Sequence, residues 1–378
     1  MASVTGLDGI VAAETELSLV DGQNGVLVYR GYEAKELALH NSFEEVAYLL
    51  WHGELPSTEA LNATRKQWAV QRSLPAELKA VLDLLPLESE MMSVLRTATS
   101  VLGTIGHQEA AWPLQFERIL ANTLMLPTII AYHYRRSQGL APIEPDPQLD
   151  HVANYLYMLT GAEPQQVHVK VLTAYLILAM EHGMNASTFA GRVVLSTQSD
   201  LASALCASIG AMKGPLHGGA PSEVLHMLDA IGDKTNAEAW LREELRAGRK
   251  LMGFGHRIYK TNDPRAEALR QLMTELAAED PWFDLAIHVE KVAVELLNEY
   301  KPGRKLYVNV EFYAAAVMRA IALPTSLFTP SFTLSRMVGW TAHLLEQTSC
   351  NRIFRPQSVY IGELPVSLRN RSYSARDL

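Results

Sequence analysis

The sequence predicts a mostly α-helical protein of two domains with one small β element at its N-terminus. Three observations lead there. Apolar residues recur at helical spacing through nearly the whole chain after Ser42, with cap residues at the starts and Gly or Pro at the stops. A strand signal is confined to the first 40 residues, where Glu14–Val20 and Val26–Tyr29 flank the turn Asp21-Gly-Gln-Asn-Gly. The 378 residues, 48% hydrophobic and 20% charged, are enough for a large core and more than one domain.

In chain order, the hairpin reads as an appendage or interface element. Ser42 and Glu45 form a capping box for a helix that Gly53 stops. Further helices are predicted at about 57–72, 88–103, 113–137, 148–160, 164–182, 186–197 and 200–212. Ala141 to Pro147 carries three prolines and reads as a linker. The most apolar run, Val171–Met180, is too short for a membrane span and reads as a buried helix. Past a Gly/Pro-rich break at 213–221, helices are predicted at 222–231, 236–247, 263–278, 281–300 and 309–322. The last starts at Thr329 or Ser331 and runs to Gln347. The break and Leu323-Pro324 bracket a smaller domain, so 1–218 and 322–378 are expected to build the large one and 219–321 the small one.

Composition narrows the function classes. A formal charge of −8 disfavours a nucleic-acid binder. Two cysteines, Cys206 and Cys350, give neither a disulfide framework nor a cysteine zinc site, and fit a reducing cytoplasm. The N-terminus lacks a basic start and an apolar core, so no targeting segment is expected. No His-Glu-x-x-His spacing or Gly-x-Ser-x-Gly elbow occurs, and no metal site is predicted.

The chemistry-bearing residues sit at breaks and helix starts. His217 stands in Gly-Pro-Leu-His-Gly-Gly and His256 in Gly-Phe-Gly-His, each beside glycine. Imidazole is suited to proton transfer near neutral pH, although a lone histidine in a turn equally serves structure. Arg265 falls at the second position of the helix capped by Asp263, where an arginine and helix N–H groups favour an anion. Glu311 lies in the first turn after Asn309. The helix dipole favours its charge there and burial opposes it, a balance that suits a base, while any first-turn Glu is also plain helix chemistry. Arg336 interrupts an apolar helix and needs an anionic partner, protein or ligand. His182 ends an apolar helix, and Arg355 lies in the aperiodic tail.

Taken in order, Glu181-His-Gly-Met-Asn-Ala-Ser, Gly-Pro-Leu-His217-Gly-Gly-Ala, Gly-Phe-Gly-His256-Arg-Ile-Tyr-Lys-x-x-Asp-Pro-Arg265, Asn-Val-Glu311-Phe-Tyr, Ser-Arg336-x-x-Gly-Trp and Arg355-Pro resemble the citrate synthase family over essentially the whole chain. The resemblance implies a helical homodimer whose two domains close on acetyl-CoA and oxaloacetate, with no cofactor beyond the coenzyme A thioester substrate. It implies His217, His256 and Glu311 as catalytic residues. It implies His182, His256, Arg265, Arg336 and Arg355 as oxaloacetate ligands, Arg355 reaching the partner's site. Lys260, Arg304 and Lys305 match groups near the coenzyme A phosphates. Glu311 stands where the family usually has aspartate, and Gln357 where many relatives have a second basic residue. A 2-methylcitrate synthase using propionyl-CoA, and a silent homologue that binds coenzyme A or a dicarboxylate, fit the same motifs.

Overall fold

The computed structural model describes residues 6–7, 9–105, 112–218, 221–255, 259, 261–276, 280–302, 306–358, 360–363 and 365, with only the backbone at 221 and 222. The chain opens with β1 (Ser18–Asp21), β2 (Val26–Tyr29) and β3 (Tyr32–Glu33), an antiparallel sheet in that order with Ser18 opposite Tyr29 and Asp21 opposite Val26. Asp21 Oδ1 accepts from the backbone N–H groups of Gln23 and Asn24, which closes the turn. The sheet is no appendage. Leu17, Leu27 and Tyr29 are buried, and Tyr29 donates its O–H to the carbonyls of Leu178 and Glu181. A Cβ on Gly25 at the turn tip would lie 2.8 Å from the Asn262 carbonyl, so the hairpin rests directly on the loop before Asp263.

Helices follow as α1 (Ala34–His40), α2 (Phe43–His52), α3 (Thr58–Gln71), α4 (Ala76–Leu84), α5 (Met91–Leu102), α6 (Phe116–Leu124), α7 (Leu126–Ser137) and α8 (His151–Thr160). The Ser42–Glu45 capping box is present, and Gly53 closes α2 in the left-handed conformation. The single helix expected at 113–137 is two. Pro127 has no N–H to give and would crowd the carbonyl four residues back, so the chain breaks at Met125. The short α1 and α4 carry too few turns to register as helical periodicity.

Next come α9 (Gln166–Ala179), α10 (Ala186–Ser196), α11 (Leu201–Lys213), α12 (Pro221–Ile231), α13 (Lys234–Arg246), α14 (Pro264–Glu275), α15 (Pro281–Tyr300), α16 (Val310–Ala320) and, after a 3₁₀ turn at Thr325–Leu327, α17 (Phe328–Ser349). Helix α17 starts earlier than expected, because Pro330 falls in the first turn, where no intrahelical N–H is required. No helix among the described residues is long and apolar enough to cross a membrane.

Two helices organise the packing. The apolar run 171–180 lies within α9 and its C-cap and is buried almost throughout, and α17 is buried on nearly every side. Helix α17 packs against α2, α5, α6, α7, α9, α10 and α11, and Trp51 of α2 donates its indole N–H to Thr341 at 2.9 Å. Helix α9 also meets α1, α14 and α16. Helices α12 to α16 pack on one another. Helix α9 therefore touches both α16 and α17. A pairing outside the N-terminal sheet adds to this: Phe254 bridges Val308 antiparallel, with Gly255 N–H on Tyr307 O at 2.7 Å and Asn309 N–H on Gly253 O at 2.9 Å.

Candidate active site

Glu311 occupies the place its sequence position implies. Asn309 caps α16, its side-chain oxygen accepting from Glu311 N–H at 3.1 Å. Among the described residues the Glu311 carboxyl has no hydrogen-bond or ion-pair partner. Burial pushes its pKa up, Arg265 pulls it down, Asp263 adds to the rise, and the net shift is upward. In the contest between dipole and burial, burial prevails.

Asp263 joins two helix starts. Its Oδ1 accepts from the backbone and Nε of Arg265, and its Oδ2 from Arg265 Nη2 at 2.9 Å and from Val310 N–H at 3.1 Å. It therefore caps α14, clamps Arg265 and holds the first N–H of the helix that carries Glu311. Burial disfavours the Arg265 charge, but Asp263 more than offsets this and the net pKa rises. The guanidinium lies over the Tyr259 ring, 5.7 Å from its centre.

Arg336 differs. It is 2% exposed, its Nε donates to the Ala179 carbonyl at 2.7 Å, and it stacks over Phe332 at 4.8 Å. No carboxylate pairs with it among the described residues. Burial drives its pKa down, and the neighbouring Glu181 and Tyr29 only partly counter that. It is a buried cation without a full counter-charge. Gly339, one turn on, is required by packing: a Cβ there would lie 2.1 Å from the Met180 carbonyl oxygen. That close approach brings the end of α9 onto α17.

His182 follows α9, and its Nε2 lies 3.1 Å from the Tyr259 hydroxyl. His217 sits in a turn closed by its N–H on Gly214 O. Burial lowers its pKa, with Arg336 adding to the effect, so the ring is neutral near pH 7. Its Nε2 is 2.8 Å from Ser187 Oγ, which accepts from Trp340 Nε1 at 3.0 Å and lies 2.8 Å from Asn185 Oδ1. The hydroxyl has one proton for these last two neighbours, the ring and the amide oxygen. Gly218 serves packing. A Cβ would lie 2.5 Å from the Met212 carbonyl and 2.7 Å from a Thr329 methyl, so this glycine seats the turn on α11 and α17.

The groups share one field. The buried Tyr175 phenol on α9 is influenced by Glu311, Arg336 and Arg265 together, with burial the dominant cause of its raised pKa. His217 and Glu181 both feel Arg336. Arg355 is placed elsewhere: it is exposed and lines a cavity of about 920 Å³ with Arg30, Arg192 and Glu346, a cavity that Arg265, Arg336, His217 and Glu311 do not line. His256, Lys260, Arg304 and Lys305 lie outside the described residues; the paired strand 253–255 leads into His256.

Sequence reasoning missed Ser187, Trp340, Tyr175, Tyr259 and the double role of Asp263. Ser187 and Trp340 stand inside the matched motifs, but a hydroxyl that joins an indole to an imidazole has no linear signature. Asp263 was legible as a cap, and its bond to Val310 spans 47 residues.

A histidine with a lowered pKa, a half-buried carboxyl with a raised one and two buried arginines stand at the helix ends and turns that carry the matched motifs. Comparison with known proteins gives the class. The family profile described as citrate synthase, C-terminal domain, matches residues 6–357. The citrate synthase of Synechocystis is 39% identical over 363 residues, 95% of this chain and 90% of the relative. The 2-methylcitrate synthase of Shewanella oneidensis is 40% identical over 363 residues, 95% of each chain. The crystal structure of citrate synthase from Thermotoga maritima superposes with a TM-score of 0.81 at 37% identity, covering 97% of this chain and 99% of that one. A citrate synthase from Thermoplasma acidophilum, solved as a ternary complex with carboxymethyl coenzyme A and oxaloacetate, gives 0.83 at 28% identity over 96% and 98%. The chain belongs to the citrate synthase family and is an enzyme of the acyltransferase type.

Proposed function

We propose that this enzyme condenses acetyl-CoA with oxaloacetate and water to give citrate and coenzyme A. The observation that carries the reading is Arg336, a buried guanidinium with no carboxylate within ion-pair distance among the described residues, which acts on His217 and, together with Glu311, on Tyr175. A dicarboxylate would supply the missing charge. Arg265, already clamped by Asp263, would hold it in register, and His182 would face it with its ring braced by Tyr259.

In this reading Glu311 removes a proton from the acetyl methyl group. Desolvation makes it a stronger base than an exposed carboxylate. His217 donates to the thioester oxygen, where charge develops. Donation from Nδ1 requires the Ser187 hydroxyl to turn its proton from Asn185 Oδ1 to His217 Nε2, 2.8 Å away. The nucleophilic carbon attacks the oxaloacetate ketone, and the resemblance assigns protonation of that oxygen to His256. Water then hydrolyses citryl-CoA. Asn309 and Asp263 fix the start of α16, from which the longer Glu311 side chain would have to reach the methyl group. Residues 219–321 act as the small domain that closes over the substrates and excludes water. The enzyme works in the cytoplasm as a homodimer, with Arg355 contributed to the partner's site. Lys260, Arg304 and Lys305 meet the coenzyme A phosphates, and no cofactor is needed.

The second reading is 2-methylcitrate synthesis from propionyl-CoA. Relatives of both names stand at 39% and 40% identity, and one methyl group discriminates by only about 1–3 kcal/mol. Thiol release measured with oxaloacetate and each acyl-CoA separates them. Faster turnover with acetyl-CoA is expected; faster turnover with propionyl-CoA reverses the assignment. Absence of oxaloacetate-dependent thiol release with either leaves a non-catalytic binding protein.

A further inference from the structure

Two turns beyond Arg336 on α17, His343 lies in a second buried polar cluster that the reaction above does not use. Its Nδ1 is 3.0 Å from Arg192 Nη1. A guanidinium can only donate, so Nδ1 carries no proton and the ring keeps its N–H on Nε2. That Nε2 lies 3.0 Å from Glu181 Oε1, in a bent contact. Glu181 is fully buried, and burial opposes its charge, yet His343, Arg336 and Ser18 together hold its pKa below the ordinary value. Its Oε1 also accepts from Ser18 Oγ at 2.9 Å and from Gly183 N–H. Arg192 is fixed in turn, donating to Glu346 Oε2 and to Gln347 Oε1, both at 2.8 Å.

Glu181 directly precedes His182, and its carboxylate folds back onto the N–H that follows His182. The carboxylate thus grips the loop from both sides of the histidine. The same carboxylate sets a negative charge beside Arg336. Gly339 lies between Arg336 and His343 on α17, and a Cβ there would fall 2.8 Å from Glu181 Oε2, so the helix is shaped to admit this carboxylate. We propose that Glu181, His343 and Arg192 form a positioning network that sets the orientation of His182 and Arg336 toward the dicarboxylate. The inference rests on the proposed function, in which those two residues face oxaloacetate.

The test is steady-state kinetics on Glu181→Gln, His343→Phe and His343→Gln, with the melting temperature of each. His343→Phe removes both ring contacts and should raise the KM for oxaloacetate about tenfold or more, with the KM for acyl-CoA within twofold of wild type. His343→Gln keeps one donor and one acceptor and should recover most of the loss. Glu181→Gln, nearly identical in size, should raise the oxaloacetate KM by a similar factor and is decisive where His343→Phe fails to fold. Folded variants with an unchanged oxaloacetate KM, equal rises in both KM values, or no rescue by Gln overturn the network. A wild-type enzyme with no oxaloacetate-dependent turnover defeats the functional reading instead, so the two failures are distinct.

Discussion

Two clusters of buried charge share α17, and they are finished to different degrees. Around His343 the charged groups have partners in the chain: Glu181 meets His343 and Ser18, and Arg192 meets Glu346 and Gln347. Around Arg336 the pairing is partial. Arg265 is clamped by Asp263, but among the described residues the Arg336 guanidinium hydrogen-bonds one backbone carbonyl and Glu311 has no partner. A buried charge without a counter-charge costs the fold several kcal/mol at least. Arg336, offset only in part by the neighbouring Glu181, and the half-buried Glu311 carry that cost most fully, whereas Ser18 and Gly183 bond to Glu181 and Glu346 pairs with Arg192; we read the first cluster as completed by substrate and the second as scaffolding for it.

Four substitutions can break or sharpen this contrast. Glu311→Gln removes the base and should lower turnover by about 10²- to 10⁴-fold; thiol release within tenfold of wild type would remove Glu311 from the chemistry. Arg336→Leu removes the charge that awaits the dicarboxylate and should weaken oxaloacetate by roughly 2–5 kcal/mol, read from KM. Ser187→Ala strands the Trp340 N–H and frees the His217 ring, and should cost about 1–3 kcal/mol of stability with a lower kcat and little change in the oxaloacetate KM. Gly339→Ala forces α17 from the Met180 carbonyl and should destabilise by about 1–3 kcal/mol, seen in thermal melts.

The raised pKa of Glu311 gives the smallest effect, with a definite sign. The fold favours the protonated carboxyl, so this group's contribution to stability is full below its unfolded pKa and is lost as pH rises through the folded value. Glu311→Gln should therefore melt above wild type at neutral pH, with the gap closing in acid. The acid limb of wild-type kcat/KM should lie above the ordinary carboxylate range; a limb at or below it contradicts the desolvated base.

What was legible in the sequence was what is local. The capping box at Ser42, the caps at Asp263 and Asn309, and the first-turn place of Glu311 depend on residues one to three positions apart. The β-hairpin was legible as a hairpin, yet its burial against Leu178 and Glu181 was not, because that contact spans about 150 residues. The Phe254–Val308 bridge is too short to show any alternation. Nor was it legible that Gly218, beside His217, accommodates the Met212 carbonyl. Charge at Arg336 was readable as a need for an anion, but only the packed structure tells whether the chain already supplies one.

The central claim is that the unfinished cluster is the dicarboxylate's. Calorimetric titration of oxaloacetate into the protein without acyl-CoA tests it most directly, with wild type, Arg336→Leu and Glu311→Gln compared. Saturable binding to wild type, nearly abolished in Arg336→Leu and largely retained in Glu311→Gln, is the predicted result. Equal affinity in wild type and Arg336→Leu would contradict the account.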